Sequence, residues 1–373
     1  MIGRLPTGGG RGLRRGFTLV EVVLALGLFS MLMVAVFQLL QGSLDLWNRG
    51  ETRRNIVDQA TSAGELLAQD LRALAAGASG DVLAEWVPFD TDGDGLREKY
   101  WPRLRLVRQA TEAELRRRGA APDDLHGPGL LEVAWAVLPM TTPQEAGVGG
   151  DLHSSPADKR AEGVLWRGER LPDDPLGMSF FEPGFFSRNG RPAGGALEEV
   201  SGGLLWMGIF FATQTSSVRA GWETGPELWH AATSWDGWQR ERPAADVHPW
   251  NEAGSGMPAV DGVVLLPRRV RVELEFERAK DRRRRTRLAD LIEAGDTQLV
   301  VEDGERVPAR SGSFILIDAE WLKVVSRRGK RVTVRRGQRG TMPVQHSEGS
   351  LVHHGLTTVV ELPIALYRED WNL

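Results

Sequence analysis

Cysteine is absent from the 373-residue chain, which excludes disulfides, thiol nucleophiles and thiolate metal sites in any compartment. An excess of charge is absent too. The chain sets 46 Lys and Arg against 50 Asp and Glu, and a formal net charge of −4 gives no global attraction to nucleic acid or acidic membranes. Tyrosine is scarce, with two residues against 13 tryptophans. No G-x-S-x-G, P-loop or H-E-x-x-H signature occurs, so no enzyme is expected. What is present, 41% hydrophobic and 26% charged residues, fits a globular protein. The length exceeds the roughly 100–200 residues of one domain, which suggests more than one structural unit.

The N-terminus carries the sharpest signal. Residues 1–16 hold Arg4, Arg11, Arg14 and Arg15 and no acid, a basic and glycine-rich leader. From Phe17 to Leu40 the only formal charge is Glu21. A helix over that segment would be about 36 Å long, enough for a hydrocarbon core of about 30 Å. A cleaved secretory signal would have a shorter apolar region of about 7–15 residues and then a small-residue cut site. A plain signal anchor explains the length and the arginines, which would hold the N-terminus in the cytoplasm. It does not explain Glu21, because a carboxylate inside a membrane helix costs about 2.5–3.5 kcal/mol near the centre and calls for a partner.

The segment "RRGFTLVEVVLALGLFSML" (14–32) resembles the N-terminus of type IV pilins and type II secretion pseudopilins. The resemblance implies cleavage after Gly16 by a prepilin peptidase and N-methylation of Phe17. It also implies that the Glu21 carboxylate pairs with the N-terminal amine of a neighbouring subunit as helices stack in a filament. That partner would offset the charge penalty.

Beyond the apolar segment, Ile56, Ala60, Ala63, Leu67, Leu71 and Leu74 recur at three- and four-residue steps, while Arg53, Asp58, Ser62, Glu65, Gln69 and Arg72 fall elsewhere on the wheel. The pattern predicts one helix over 17–76, transmembrane over about 17–40, with its second half packed on a sheet and with Gly77 and Gly80 as stop signals. Short β-like runs follow: "RLRLVR" (103–108), "LLEVAWAVL" (130–138), "GVLW" (163–166) and the strictly alternating "VRVELEFER" (270–278). Residues 110–126 suggest a short exposed helix, and 139–160 and 167–199 read mainly as loop. The expected fold class is α+β: a long N-terminal helix on an antiparallel sheet.

"LEEVSGGLLWMGIFF" (197–211) and "LPRRVRVELEF" (266–276) are similar to segments of the J-type minor pseudopilin and its minor-pilin relatives. Between 286 and 355, closely spaced strands with turns at Arg328–Gly329 and Arg339–Gly340 predict a small all-β module. It resembles a β module that recurs in phage-tail-like and surface proteins, around "IDAEWLKV" and "VTVRRGQRGT". The module reads as an insertion between two adjacent strands, so the globular domain spans 81–285 and 356–373.

"DTDGDGLRE" (90–98) sets Asp90, Asp92 and Asp94 at alternating positions before Gly95, the spacing at which a turning loop aims hard oxygen ligands at one calcium ion. The Leu96 carbonyl and Glu98 are the further candidates. Trp101 stands where an EF-hand has its bidentate glutamate, so a full EF-hand is excluded, and a solvated Asp/Gly turn is the competing reading. Trp222, Trp229, Trp235, Trp238 and Trp250 crowd one stretch, which fits rings pinning long loops better than a sugar-stacking patch. The run "RAKDRRRRTR" (278–287) reads as a solvated connector, so nucleic acid is not expected as a partner. His346, His353 and His354 read as structural, since strand neighbours point to opposite faces.

These features together suggest a minor pseudopilin of a type II secretion pseudopilus. Its expected site is the inner membrane, crossed once, with a periplasmic C-terminal domain. Expected partners are other pilin or pseudopilin subunits, prepilin peptidase, inner-membrane lipid and secreted proteins. A minor type IV pilin, tip adhesin or DNA-uptake pilin that binds a surface, glycan or nucleic acid is the alternative.

Overall fold

A computed structural model describes residues 18–89, 99–119, 129–139, 162–172, 174, 178–182, 185, 197–212, 234–238, 264, 266–267, 269–277 and 285–364. The chain divides into two compact units, 1–54 and 55–373. Helix α1 (Leu19–Arg72) contributes to both. Within it Leu19–Leu44 is long and apolar enough to cross a membrane, and its side chains are exposed throughout. The apolar span therefore runs a turn further than Leu40.

In the second unit the Ile56 side chain lies outside the described residues and Leu74 is half-buried, while Ala60, Ala63, Leu67 and Leu71 of the expected stripe face the core with Ala68 beside them. Small residues at its start let helix and sheet approach closely. A Cβ on Gly64 would lie 2.9 Å from Cγ2 of Val360. The helix stops at Arg72, short of the expected boundary at 76, because the following residues turn their backbone to the sheet. The Ala73 carbonyl accepts from Gln109 N, and Ala75 N donates to the Val107 carbonyl. These bonds satisfy peptide groups that a longer helix would have used internally.

Among the described residues the first sheet has eight antiparallel strands. In chain order they are β1 (Val82–Phe89), β2 (Lys99–Ala110), β3 (Gly129–Pro139), β4 (Gly163–Arg170), β5 (Glu198–Ala212), β6 (Trp235–Asp236), β7 (Arg269–Glu277) and, after the second sheet, β14 (Gly355–Pro363). Their spatial order is β14-β7-β5-β4-β3-β2-β1-β6. Helix α2 (Glu112–Arg117), shorter than the sequence suggests, follows β2 behind a Thr111/Glu114 capping box. Period-two alternation sorts the faces. Leu104, Leu106, Val133, Trp135, Val272, Leu274 and Phe276 form one core with the α1 stripe. Ala134 and Ala136 point the other way and are covered by Phe180, Phe185 and Leu197.

The second sheet comprises β8 (Thr286–Arg287), β9 (Gln298–Val300), β10 (Phe314–Ile317), β11 (Glu320–Arg328), β12 (Arg331–Gln338) and β13 (Leu351–His353), in the order β8-β13-β10-β11-β12-β9. Its two edges meet. Ala289 N donates to the Val300 carbonyl and Glu302 N to the Arg287 carbonyl, next to a Leu288–Val301 bridge. The sheet thus closes into a small barrel, which removes its free edges. Leu288, Val301, Ile315, Leu322, Val332 and Val334 fill its interior. The turn between β11 and β12 falls at Gly329–Lys330, with Gly329 at φ 59°, one residue later than expected.

The barrel packs on the face of the first sheet opposite α1. Its Leu316 and Trp321 join Trp86, Leu205 and Trp206 in one apolar cluster. Both chain crossings are pinned there. Arg285, just before β8, reaches Glu277 (2.5 Å, Nη2 to Oε2) and Glu162 (2.8 Å). His353, at the other crossing, lies 3.3 Å from the same Glu277. Burial would raise the Glu277 pKa, but His353 and Arg285 outweigh it and bring the carboxyl down to about 2.

Candidate filament-assembly site

The start of α1 is built by Thr18 and Glu21. Thr18 donates to Glu21 Oε2 through its backbone N (3.0 Å) and its hydroxyl (3.1 Å), and Glu21 N donates back to Thr18 Oγ1 (3.3 Å). This reciprocal box satisfies donors that a helix start leaves unpaired. Sequence reading assigned Glu21 only to a neighbour's amine, yet within one chain it is also the helix cap. Gly16 and Phe17 lie outside the described residues.

At the other end of the helix Asp70 is fully buried. It accepts from Trp135 Nε1 (2.8 Å) and from Arg167 through Nε (2.8 Å) and Nη2 (2.7 Å). Arg108 Nε lies 3.1 Å from its other side. Arg108 in turn donates to Glu114 (2.9 Å) and Glu169 (2.8 Å), and Arg118 closes the network on Glu169 (2.9 Å). Glu114, held chiefly by Arg108, has a pKa of about 2. Burial opposes the same shift at Glu169, but Arg108 and Arg167 win and hold it at about 2 as well. Helix, sheet and α2 are thus joined by ionised groups whose charges are compensated locally.

None of this network was foreseen. One signal was available: Asp70 lies three residues after Leu67 and one before Leu71, on the stripe that should be apolar. An acid there needs a buried cation.

The other candidate residues are placed as follows. Phe89 pairs with Lys99, so 90–98 is the connection of the β1–β2 hairpin; Asp90, Asp92, Asp94, Leu96 and Glu98 all lie outside the described residues. Among the described residues no group of three or more His, Asp or Glu side chains is arranged to hold a metal. Trp235 is buried with its ring 5.5 Å from that of Phe211, and Trp238 Nε1 donates to the Gly80 carbonyl (3.0 Å). Trp222, Trp229 and Trp250 lie outside the described residues, as does most of 278–287. His346 is buried between Asp318 (2.6 Å from Nδ1) and Glu320 (2.9 Å from Nε2), and His354 is half-buried.

The prokaryotic N-terminal methylation motif matches residues 11–37, the span that holds the basic leader end, Phe17 and Glu21. That motif supports a type IV pilin-like or pseudopilin subunit, and it implies processing by prepilin peptidase and assembly with other pilin subunits. No curated protein matches the chain.

Proposed function

We propose that this pilin-type subunit is a minor pseudopilin of a type II secretion pseudopilus, held in the inner membrane by Leu19–Leu44 until it is extracted into the filament. The observation that supports it best is one continuous helix with two characters. Its apolar first part bears a single acid, Glu21, and its last turns are clamped to the globular domain through Asp70. Such a helix can exchange lipid for neighbouring helices while the domain follows. Glu21 then sets the register by pairing with the next subunit's amine. We also propose that the 90–98 connection binds calcium in a structural role, since a nine-residue hairpin link rich in aspartate lacks internal cations apart from Arg97.

The test is processing and incorporation in the native host. Mass spectrometry should find a chain that begins at methylated Phe17, in sheared filaments that carry secretion pseudopilins. A Met1 terminus in cells with active prepilin peptidase would overturn the reading, and co-purification with retractable pili alone would overturn the secretion assignment.

A further inference from the structure

Strand β14 ends the eight-stranded sheet, nine residues or about 30 Å of edge whose outer side has no partner strand among the described residues. One residue fixes the direction of its peptide groups. Pro363 has no N–H, so its pair with Arg269 cannot be of the doubly hydrogen-bonded kind. The register with β7 runs without a shift from Gly355 to Pro363, and alternation therefore puts Thr357, Val359 and Glu361 in the same class. Their N–H and C=O groups point away from β7, toward the open edge.

Long edges are normally blunted by lysine, by a bulge, by an interior proline or by shortness. At the other end of the sheet β6 is two residues long, and the barrel closes on itself. Strand β14 has no such device: it holds no lysine and no bulge, and its single proline is the last residue. Apolar groups stand open on both faces beside it. On the barrel side Val359 is 44% exposed. On the other side α1 approaches β14 at Gly64 and Val360, and Val57, two turns earlier on the same side of the helix, is 40% exposed. An added strand would complete the hydrogen bonds and cover these valines at once.

The helix beside the edge decides which strand fits. Pilin-type subunits assemble with one another, and α1 is the element they stack by. Two copies paired through β14 in the antiparallel sense form a two-fold contact about the sheet normal, which points their α1 helices in opposite directions. Paired in the parallel sense, one sheet is turned over and its α1 lies on the far face. Neither arrangement lets two helices enter one filament side by side. A contact between β14 and this chain's own opposite edge would repeat into an array of one subunit, which a minor component does not build. We infer that β14 is completed by an edge strand of a different pilin-type subunit. Backbone hydrogen bonds to Thr357, Val359 and Glu361 supply the affinity, and apolar side chains over Val57 and Val360 supply the selection.

The inference rests on the filament-subunit reading, and its test uses the full-length chain in the native host. With the photo-reactive residue p-benzoylphenylalanine in place of Thr357, irradiated sheared filaments should give a cross-link that mass spectrometry maps to a strand segment of a different pilin-type subunit. Val359→Pro deletes one outward N–H and no bond to β7, so it should abolish that cross-link and leave the melting temperature of the purified chain unchanged. Val360→Pro removes a bond to β7 and should lower it. A cross-link to a second copy, to a helix or to a protein of another class would overturn the inference, as would a cross-link that survives Val359→Pro. A Val359→Pro chain that melts as early as Val360→Pro would show that the amide at 359 is used within the chain, and would overturn it too. Filaments that contain the chain but give no cross-link would overturn this contact and leave the filament reading intact. A chain never found in filaments would overturn both.

Discussion

Arg339 donates through Nη1 to Glu275 Oε2 at 2.7 Å and so helps tie the barrel to the large sheet. The guanidinium carbon also lies 4.1 Å from the Phe314 ring centre, 4.3 Å from Trp321 and 4.8 Å from Trp206. Three rings and a carboxylate thus enclose one cation, with rings contributed by both sheets. Truncating one partner of such a buried pair costs about 3–5 kcal/mol, because the other charge is left stranded. Glu275 keeps a bond from Gly355 N (2.9 Å), so Arg339→Ala should fall near the lower end. Arg339 has φ 54°, in the left-handed region that favours glycine. Arg339→Gly should therefore be no more destabilising than Arg339→Ala, although it removes more atoms. Urea unfolding of both variants checks this, and a clearly worse glycine variant would refute the backbone part of the argument.

How far such a seam can be read from sequence depends on the range of the interactions. The apolar span of α1, the buried middle of its stripe and the alternation of β7 follow from local periodicity, although the span runs past the expected Leu40. The α1 boundary at Arg72 was missed because it is set by hydrogen bonds to β2, more than 30 residues away. The ion pairs of Asp70, Glu275, Glu277 and Glu320 were missed for the same reason. A charged residue in a linear pattern does not reveal which distant cation will compensate it. Asp70 and Glu275 differ in what they offered beforehand. Asp70 interrupts an apolar stripe, whereas Glu275 sits on the polar side of an alternating strand and reads as solvent-facing until the barrel covers it.

The Asp70 network should hold α1 to the sheet against pulling. Asp70→Asn keeps the shape but turns an amide toward guanidinium donors and leaves Arg167 and Arg108 with less compensation. A loss of about 3 kcal/mol is expected, together with faster hydrogen exchange across Ala60–Arg72. Because Glu114 and Glu169 titrate near 2, their contribution is complete above the unfolded carboxylate value of about 4.3 and lost as pH falls through 2. Acid unfolding should therefore loosen the end of α1. In a double-mutant cycle, D70N and R167Q should couple by more than about 1 kcal/mol; additive effects would mean that the pair contributes little.

His346 should make the barrel sensitive to alkali. Both ring nitrogens face carboxylates, so both must carry protons for the two bonds to form. Burial works against the charged ring, but Asp318 and Glu320 outweigh it and raise the pKa above the ordinary histidine value. A raised folded-state pKa means that this contribution is full below about 6.5 and lost as pH rises through the folded value. Burial also opposes the shift at Glu320, where Arg336 and His346 prevail and hold it at about 2, so its contribution fails only in strong acid. Hydrogen exchange at Gly337 and Val344, whose amides bond Glu320, should quicken between neutral and alkaline pH beyond the intrinsic chemical rate. His346→Gln should remove that extra dependence.

Calcium binding at 90–98 should be visible in the hairpin that the connection closes. Added calcium should raise the melting temperature of the full chain and slow exchange in the last turns of β1 and the first of β2. Asp92→Ala should abolish both effects, while Thr91→Ala should preserve them. A wild-type chain indifferent to chelator would refute the site.

The helix-capping contact of Glu21 and its proposed filament charge can be separated by a pair of variants. In the capping box, glutamine serves at this position almost as well as glutamate, because its amide oxygen still accepts from the Thr18 amide and hydroxyl. Glu21→Gln therefore keeps the cap and removes only the charge. Thr18→Ala does the reverse: it removes the hydroxyl, at a cost of about 1 kcal/mol in helix stability, and leaves the carboxylate ionised. If Glu21 acts by pairing with a neighbour's amine, Glu21→Gln and Glu21→Ala should both remain in the membrane and fail to enter filaments, while Thr18→Ala should assemble. Immunoblots of membrane and sheared-filament fractions give the answer. Assembly by Glu21→Gln together with failure of Thr18→Ala would show that the acid matters for starting the helix, and the charge-pairing account would have to be abandoned.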